Sequence, residues 1–118
     1  GGDITAWSRK YYMPRIETEY GNDPARLPFD FTEVLGALAP RPVFVNAPLH
    51  DVPDFEVSGV RDCMDAAMPI YRDVFRAAER LVAEYPDAGH DFPPPVRENA
   101  YRFLDRWLKN RAGTVNVR

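Results

Sequence analysis

The sequence predicts an α/β domain in which a short parallel βαβ sheet is flanked by helices. Three observations carry this expectation. Two short runs rich in apolar and β-branched residues, 41–47 and 80–85, are each closed by a proline, Pro48 and Pro86. Runs of that length bounded by turn residues read as strands. Between them Val60, Met64, Ala67, Tyr71 and Phe75 recur at intervals of four, three, four and four, the spacing of one helix face. The composition, 45% hydrophobic and 28% charged over 118 residues, suits one globular domain. It excludes a disordered tail, a collagen-like rod and a disulfide-rich miniprotein.

Residues 1–28 read as an irregular excursion. Trp7, Tyr11, Tyr12 and Ile16 anchor short helical turns, interrupted at Pro14 and ended by Gly21-Asn22-Asp23-Pro24. Gly and Asn tolerate positive φ and Pro restricts the residue before it, so that ending is a turn. The start, Gly1-Gly2-Asp3, lacks both an initiator Met and a signal-peptide pattern and reads as an excised or processed end. Localisation stays open.

Residues 29–112 read as an αβαβα core. Asp30 with Glu33 three residues on forms a capping box before Val34, Leu35 and Leu38, and Pro40 stops that helix. The first strand and a loop, His50-Asp51-Val52-Pro53-Asp54, follow. The second helix takes Ser58 as its N-cap and Asp62 near its positive end, with a kink expected at Pro69. After the second strand comes the loop Asp87-Ala88-Gly89-His90-Asp91-Phe92. Pro93-Pro94-Pro95 then opens a last helix, in which Val96, Ala100, Phe103 and Trp107 share a face widened by Leu104 and Leu108. Gly113 ends this helix, and 113–118 is a tail.

Fifteen basic against eighteen acidic residues give a net charge of -3, with no block of like charge. A nucleic-acid backbone and a membrane surface are therefore not expected partners, and no apolar run reaches the roughly 18 residues of a membrane span. One cysteine, Cys63, cannot form an internal disulfide. It reads as a packed thiol off the apolar stripe.

The chemistry-bearing residues lie in the two loops. Parallel strands open their C-termini on one edge, where ligand sites of open α/β sheets lie. The two histidines, each beside an acid in His50-Asp51 and His90-Asp91, therefore converge there. In hydrolases of the Ser-His-acid kind the imidazole relays a proton and a carboxylate orients it. Asp51 followed by His90 has the required chain order, and Gly89 provides a sharp turn before the imidazole.

The stretch Pro28–Leu108 resembles the C-terminal part of α/β-hydrolase esterases of the acetyl-xylan-esterase and dienelactone-hydrolase type. The residues concerned are Ala39-Pro40-Arg41-Pro42-Val43-Phe44-Val45, Ala47-Pro48-Leu49-His50-Asp51, Gly59-Val60-Arg61-Asp62, the Tyr85–Pro93 loop with its Gly-His-Asp-Phe-Pro run, and Ala100–Asp105. Gly2–Ser8 and Tyr12–Ile16 look like the excursion that precedes those elements. The resemblance implies a truncated, α/β-hydrolase-like three-layer piece. It further implies hydrolysis of short-chain acyl esters, Asp51 as the acid, His90 as the base, and no cofactor. The family's nucleophile elbow, Gly-x-Ser-x-Gly, is absent from the chain. Ser8 and Ser58, the two serines, lack its context, and the elbow region is expected upstream.

Other readings use the same residues. A Gly-His-Asp turn after a strand also serves as a solvated loop. Asp54 competes with Asp51 as the acid, and Ser58 is either a helix cap or a replacement nucleophile. His50, Asp51, His90 and Asp91 together have the chemistry of a divalent-metal site. Trp7, Tyr11 and Tyr12 either line a substrate pocket or anchor the excursion. A chain with no catalytic role, working as an oligomerising fragment, is the remaining class. Two apolar strands leave open edges, so self-association through a strand edge or the N-terminal excursion is expected.

Overall fold

The computed structural model describes residues 4–53 and 55–109. Asp54, Gly113 and the tail expected at 113–118 lie outside them. The N-terminal excursion contains a 3-10 turn, Ile4–Ala6, a short helix α1, Arg15–Thr18, and a second 3-10 turn, Pro24–Arg26. Pro14 caps α1 rather than interrupting it. Gly21 and Asn22 take φ of 65° and 57°, the left-handed conformation that those two residue types tolerate. Trp7 ties the excursion to the core by packing on Phe31, with ring centroids 5.4 Å apart. Tyr11 is 88% exposed and anchors nothing by burial.

Helix α2, Phe31–Leu38, starts from the expected capping box, in which the Asp30 backbone N–H donates to Glu33 Oε2 at 2.6 Å. That bond is the main reason the Glu33 carboxyl is held below its usual pKa. Strand β1, Val43–Asn46, follows and pairs in parallel with β2, Leu81–Glu84, in the register Val43↔Leu81 to Asn46↔Glu84. Helix α3, Val57–Pro69, forms the crossover. At Pro69 it gives way to a π turn, Ile70–Val74, because proline supplies no N–H to continue the ladder. Helix α4, Pro94–Lys109, closes the order.

The two sheet faces are covered by different helices. On one, Met64, Ala67, Tyr71 and Leu81 form a buried cluster, against which Leu35, Val43, Val45 and Ala83 pack. The Tyr71 hydroxyl donates to the Arg41 carbonyl at 2.9 Å, joining the π turn to the entry of β1. Close approach of α2 to that turn needs Gly36, where a Cβ would stand 2.6 Å from Ile70 Cδ1. On the other face Phe44 stacks on Phe103 of α4 at 5.6 Å, and Asn99 donates to Glu84. Arg80, bonded to the Pro40 carbonyl, carries Trp107 over its guanidinium at 4.6 Å.

Three expectations need correction. Ser58 is not the N-cap of α3; that position belongs to Glu56, and Ser58 lies inside the first turn. Asp62 lies beyond the first turn, which contains no acid. Phe75 falls outside the buried cluster and is exposed; it lies just past the π turn, at the position where the helix ends.

The chain is more open than its length demands. Its radius of gyration is 17.1 Å, against about 13.5 Å for a compact domain of this length. All four β1 residues stay only half-buried.

Candidate functional site

The site grows from the sheet register. Past the last paired residues the backbone ladder continues into the loops: Ala47 N–H donates to the Glu84 carbonyl, Leu49 to Pro86 and His50 to Ala88, at 2.9, 2.9 and 3.0 Å. The loop after β1 is thus zipped to the loop after β2. This brings Asp51 and His90 side by side, 39 residues apart in the chain, with His90 Nδ1 2.6 Å from Asp51 Oδ1.

A carboxylate only accepts hydrogen bonds, so Nδ1 carries the proton and the Nε2 lone pair faces outward. No described residue bonds Nε2. Asp51 is held tightly: Val52 N–H also donates to Oδ1, at 2.6 Å. That backbone bond first, and the His90 bond second, lower the Asp51 pKa from its usual value. The two side chains differ sharply in exposure, 10% for Asp51 and 78% for His90. The carboxylate is sheltered and oriented, whereas the imidazole stands at the mouth of a cleft of about 420 Å³. Asn46, Pro48, Asp51, His90, Asp91 and Phe92 line this cleft.

The second histidine does not join the first. His50 Nε2 bonds Asp87 Oδ1 at 2.8 Å, both side chains well exposed. Asp91 contributes its backbone carbonyl, which accepts from Asn46 Nδ2 at 3.0 Å. The four residues weighed as metal ligands are therefore divided between two pairs and a backbone contact. Among the described residues no three His, Cys, Asp or Glu side chains come together as a metal site. Adjacent His-Asp residues diverge, and each histidine takes its acid from the other loop.

The serines are elsewhere. Ser8 is buried, its hydroxyl donating to the Thr5 carbonyl at 2.9 Å. Ser58 is exposed on α3 and does not line the cleft. The Cys63 thiol is half-buried, and burial is the first cause of its raised pKa, the reverse of an activated nucleophile. Gly89 is not left-handed, and a Cβ there would meet the His50 carbonyl at an ordinary 3.6 Å. The chain nonetheless bends at Gly89, as expected before His90. Trp7, Tyr11 and Tyr12 do not line the cleft.

Sequence reasoning missed Asp87 and Asn46. Asp87 was legible only as a member of the second loop, because its pairing with His50 depends on how the two loops align. Asn46 ends β1, and its side-chain nitrogen fastens the His90 loop to that strand.

Among the described residues no helix is long and apolar enough to cross a membrane. No protein-family model, curated protein or solved structure matches this chain.

Proposed function

We propose that the chain carries the acid–base pair of an α/β-hydrolase-type carboxylic-ester hydrolase acting on short-chain acyl esters. The observation that supports this reading is the 2.6 Å bond between a sheltered Asp51 carboxylate and the His90 Nδ1–H, at the edge where both strands end. The motif resemblance of the two loops points the same way.

Water is the nucleophile in this reading, since the cleft is lined by Asn46, Pro48, Asp51, His90, Asp91 and Phe92. His90 Nε2 takes a proton from a water whose oxygen attacks the acyl carbon. The negative charge moves to the carbonyl oxygen of a tetrahedral intermediate. That intermediate re-forms the carbonyl and expels the alkoxide, which takes the proton from the imidazolium. Asp51 holds the required tautomer and stabilises the imidazolium between the two proton transfers.

A positioned general base contributes about 10²- to 10⁴-fold. Hydrolysis of p-nitrophenyl acetate by the wild type, H90Q, D51N and S58A tests the assignment. H90Q is expected to fall to the buffer rate, D51N to retain a minor fraction of turnover, and S58A to match the wild type. Hydrolysis by H90Q at the wild-type rate rejects the proposal. Loss in S58A instead transfers the reaction to that hydroxyl.

A further inference from the structure

The backbone that carries His90 leaves the ladder at Ala88, whose carbonyl accepts the last rung from His50. Among the described residues, 89–92 have one further backbone hydrogen bond: the Asp91 carbonyl accepts from Asn46 Nδ2 at 3.0 Å. Packing does not orient the His90 ring either, since its side chain is 78% exposed. Two bonds therefore hold this part of the loop, and both come from the β1 side. Asp51 grips the ring of His90, and Asn46 grips the carbonyl of the next residue.

Asn46 occupies a strand position that suits an apolar side chain. By the period of two it shares the face of Phe44, which packs on Phe103 of α4. Its ladder partner Glu84 accepts from Asn99 of the same helix. Asparagine is a poor strand former. Its Oδ1 is also buried and has no partner among the described residues, which costs stability. Reversing the amide would not relieve this, because Oδ1 would then face the Asp91 carbonyl, acceptor against acceptor. What the amide does at this position is hold that carbonyl.

We propose that Asn46 is the positioning residue of the Asp51–His90 pair. By holding the Asp91 carbonyl it keeps the His90 ring on Asp51, and so in the Nδ1–H form with the Nε2 lone pair free to accept a proton. Its effect on rate rests on the proposed ester chemistry; its effect on the tautomer does not. Without the amide the Asp91 carbonyl, which lies in an exposed bond, turns to water and the 89–92 backbone gains freedom. The ring then spends part of its time off Asp51. There the Nε2–H form competes, and its proton blocks the lone pair that serves as the base.

N46V tests this, because valine suits a strand and removes the orphaned oxygen together with the amide. Its melting temperature is expected to equal or exceed that of the wild type. Long-range proton–nitrogen correlation spectra in alkaline buffer read the tautomer, with the two histidines told apart by H90Q. They are expected to show His90 as Nδ1–H in the wild type and a rising Nε2–H signal in N46V. With p-nitrophenyl acetate the kcat of N46V is expected to fall about 10- to 100-fold, with KM changed much less. N46V placed in D51N is expected to add no further loss, because the grip it supports is already gone. An unchanged His90 tautomer in N46V overturns the proposal, even where H90Q loses all hydrolysis. Melting temperatures well below the wild type in both N46V and N46A overturn it as well, since they make Asn46 a part of the core. A shifted tautomer in N46V with H90Q hydrolysing at the wild-type rate upholds the positioning and rejects the ester chemistry.

Discussion

Removing the Tyr71 hydroxyl measures how firmly the π turn is fastened to the sheet. Among the described residues Tyr71 is the largest fully buried side chain, with 0% exposure. Its burial raises the phenol pKa above the usual value, and the hydroxyl donates to the Arg41 carbonyl at 2.9 Å. Y71F keeps the ring in the cluster with Met64, Ala67 and Leu81 and deletes only that bond. The net loss is about 1 kcal/mol, since the partner carbonyl is left unpaired in a partly buried position. Y71A also removes the ring and leaves a cavity, at a cost of about 3–5 kcal/mol in addition to the hydrogen bond. At about 2.1 cal/mol/K per residue the unfolding entropy of this chain is about 250 cal/mol/K. Y71F should therefore melt about 4 °C below the wild type, and Y71A about 16 °C or more below it. Thermal and urea unfolding followed by far-UV circular dichroism at fixed protein concentration reads both. Y11F, at an exposed site, serves as the neutral control. A Y71F melting temperature equal to that of the control would refute the reasoning, because it would mean the hydroxyl and the Arg41 carbonyl are not bonded.

Two further outcomes follow from the capping box and the acid–base pair. D30A removes the acid at the N-cap of α2 and should cost about 1 kcal/mol, read as a shift in urea midpoint; an unchanged midpoint would show that the cap does not stabilise the helix. The Asp51 carboxyl is depressed by the Val52 and His90 bonds, so its contribution to stability is present above the ordinary carboxylate pKa of about 3.9. It is lost as pH falls through the lower folded-state value. Melting temperatures of the wild type and D51N should therefore differ near neutrality and converge in acid. A gap that stays constant down to low pH would separate Asp51 from the acid sensitivity of the fold.

The elements were legible because each is written in local spacing. Val60, Met64, Ala67 and Tyr71 mark a helix face by their intervals, and the prolines that bound Val43–Asn46 and Leu81–Glu84 mark where strands stop. The Asp30–Glu33 cap is a two-residue signal that needs no tertiary partner. Ser58 satisfies the local rule for a cap, but the helix begins two residues earlier, after Glu56. Phe75 fits the four-residue spacing, yet the helix ends at it, past the π turn, and it is exposed.

By itself the sequence determined an α/β chain with two short strands, a crossover helix between them and a closing amphipathic helix. It also placed Asp51 and His90 in the loops that end those strands. The pairing of Asp51 with His90 was an expectation of the sequence; only the tertiary structure gave it a geometry and gave His50 its partner, Asp87. Neighbouring residues in an extended loop project in different directions, so neither histidine uses the acid beside it. The pairing comes from the alignment of two loops whose backbones are bonded from Ala47 to His50. That alignment is inherited from the Val43↔Leu81 register, and no local pattern records it. A shift of one residue would have sent every side chain to the opposite face.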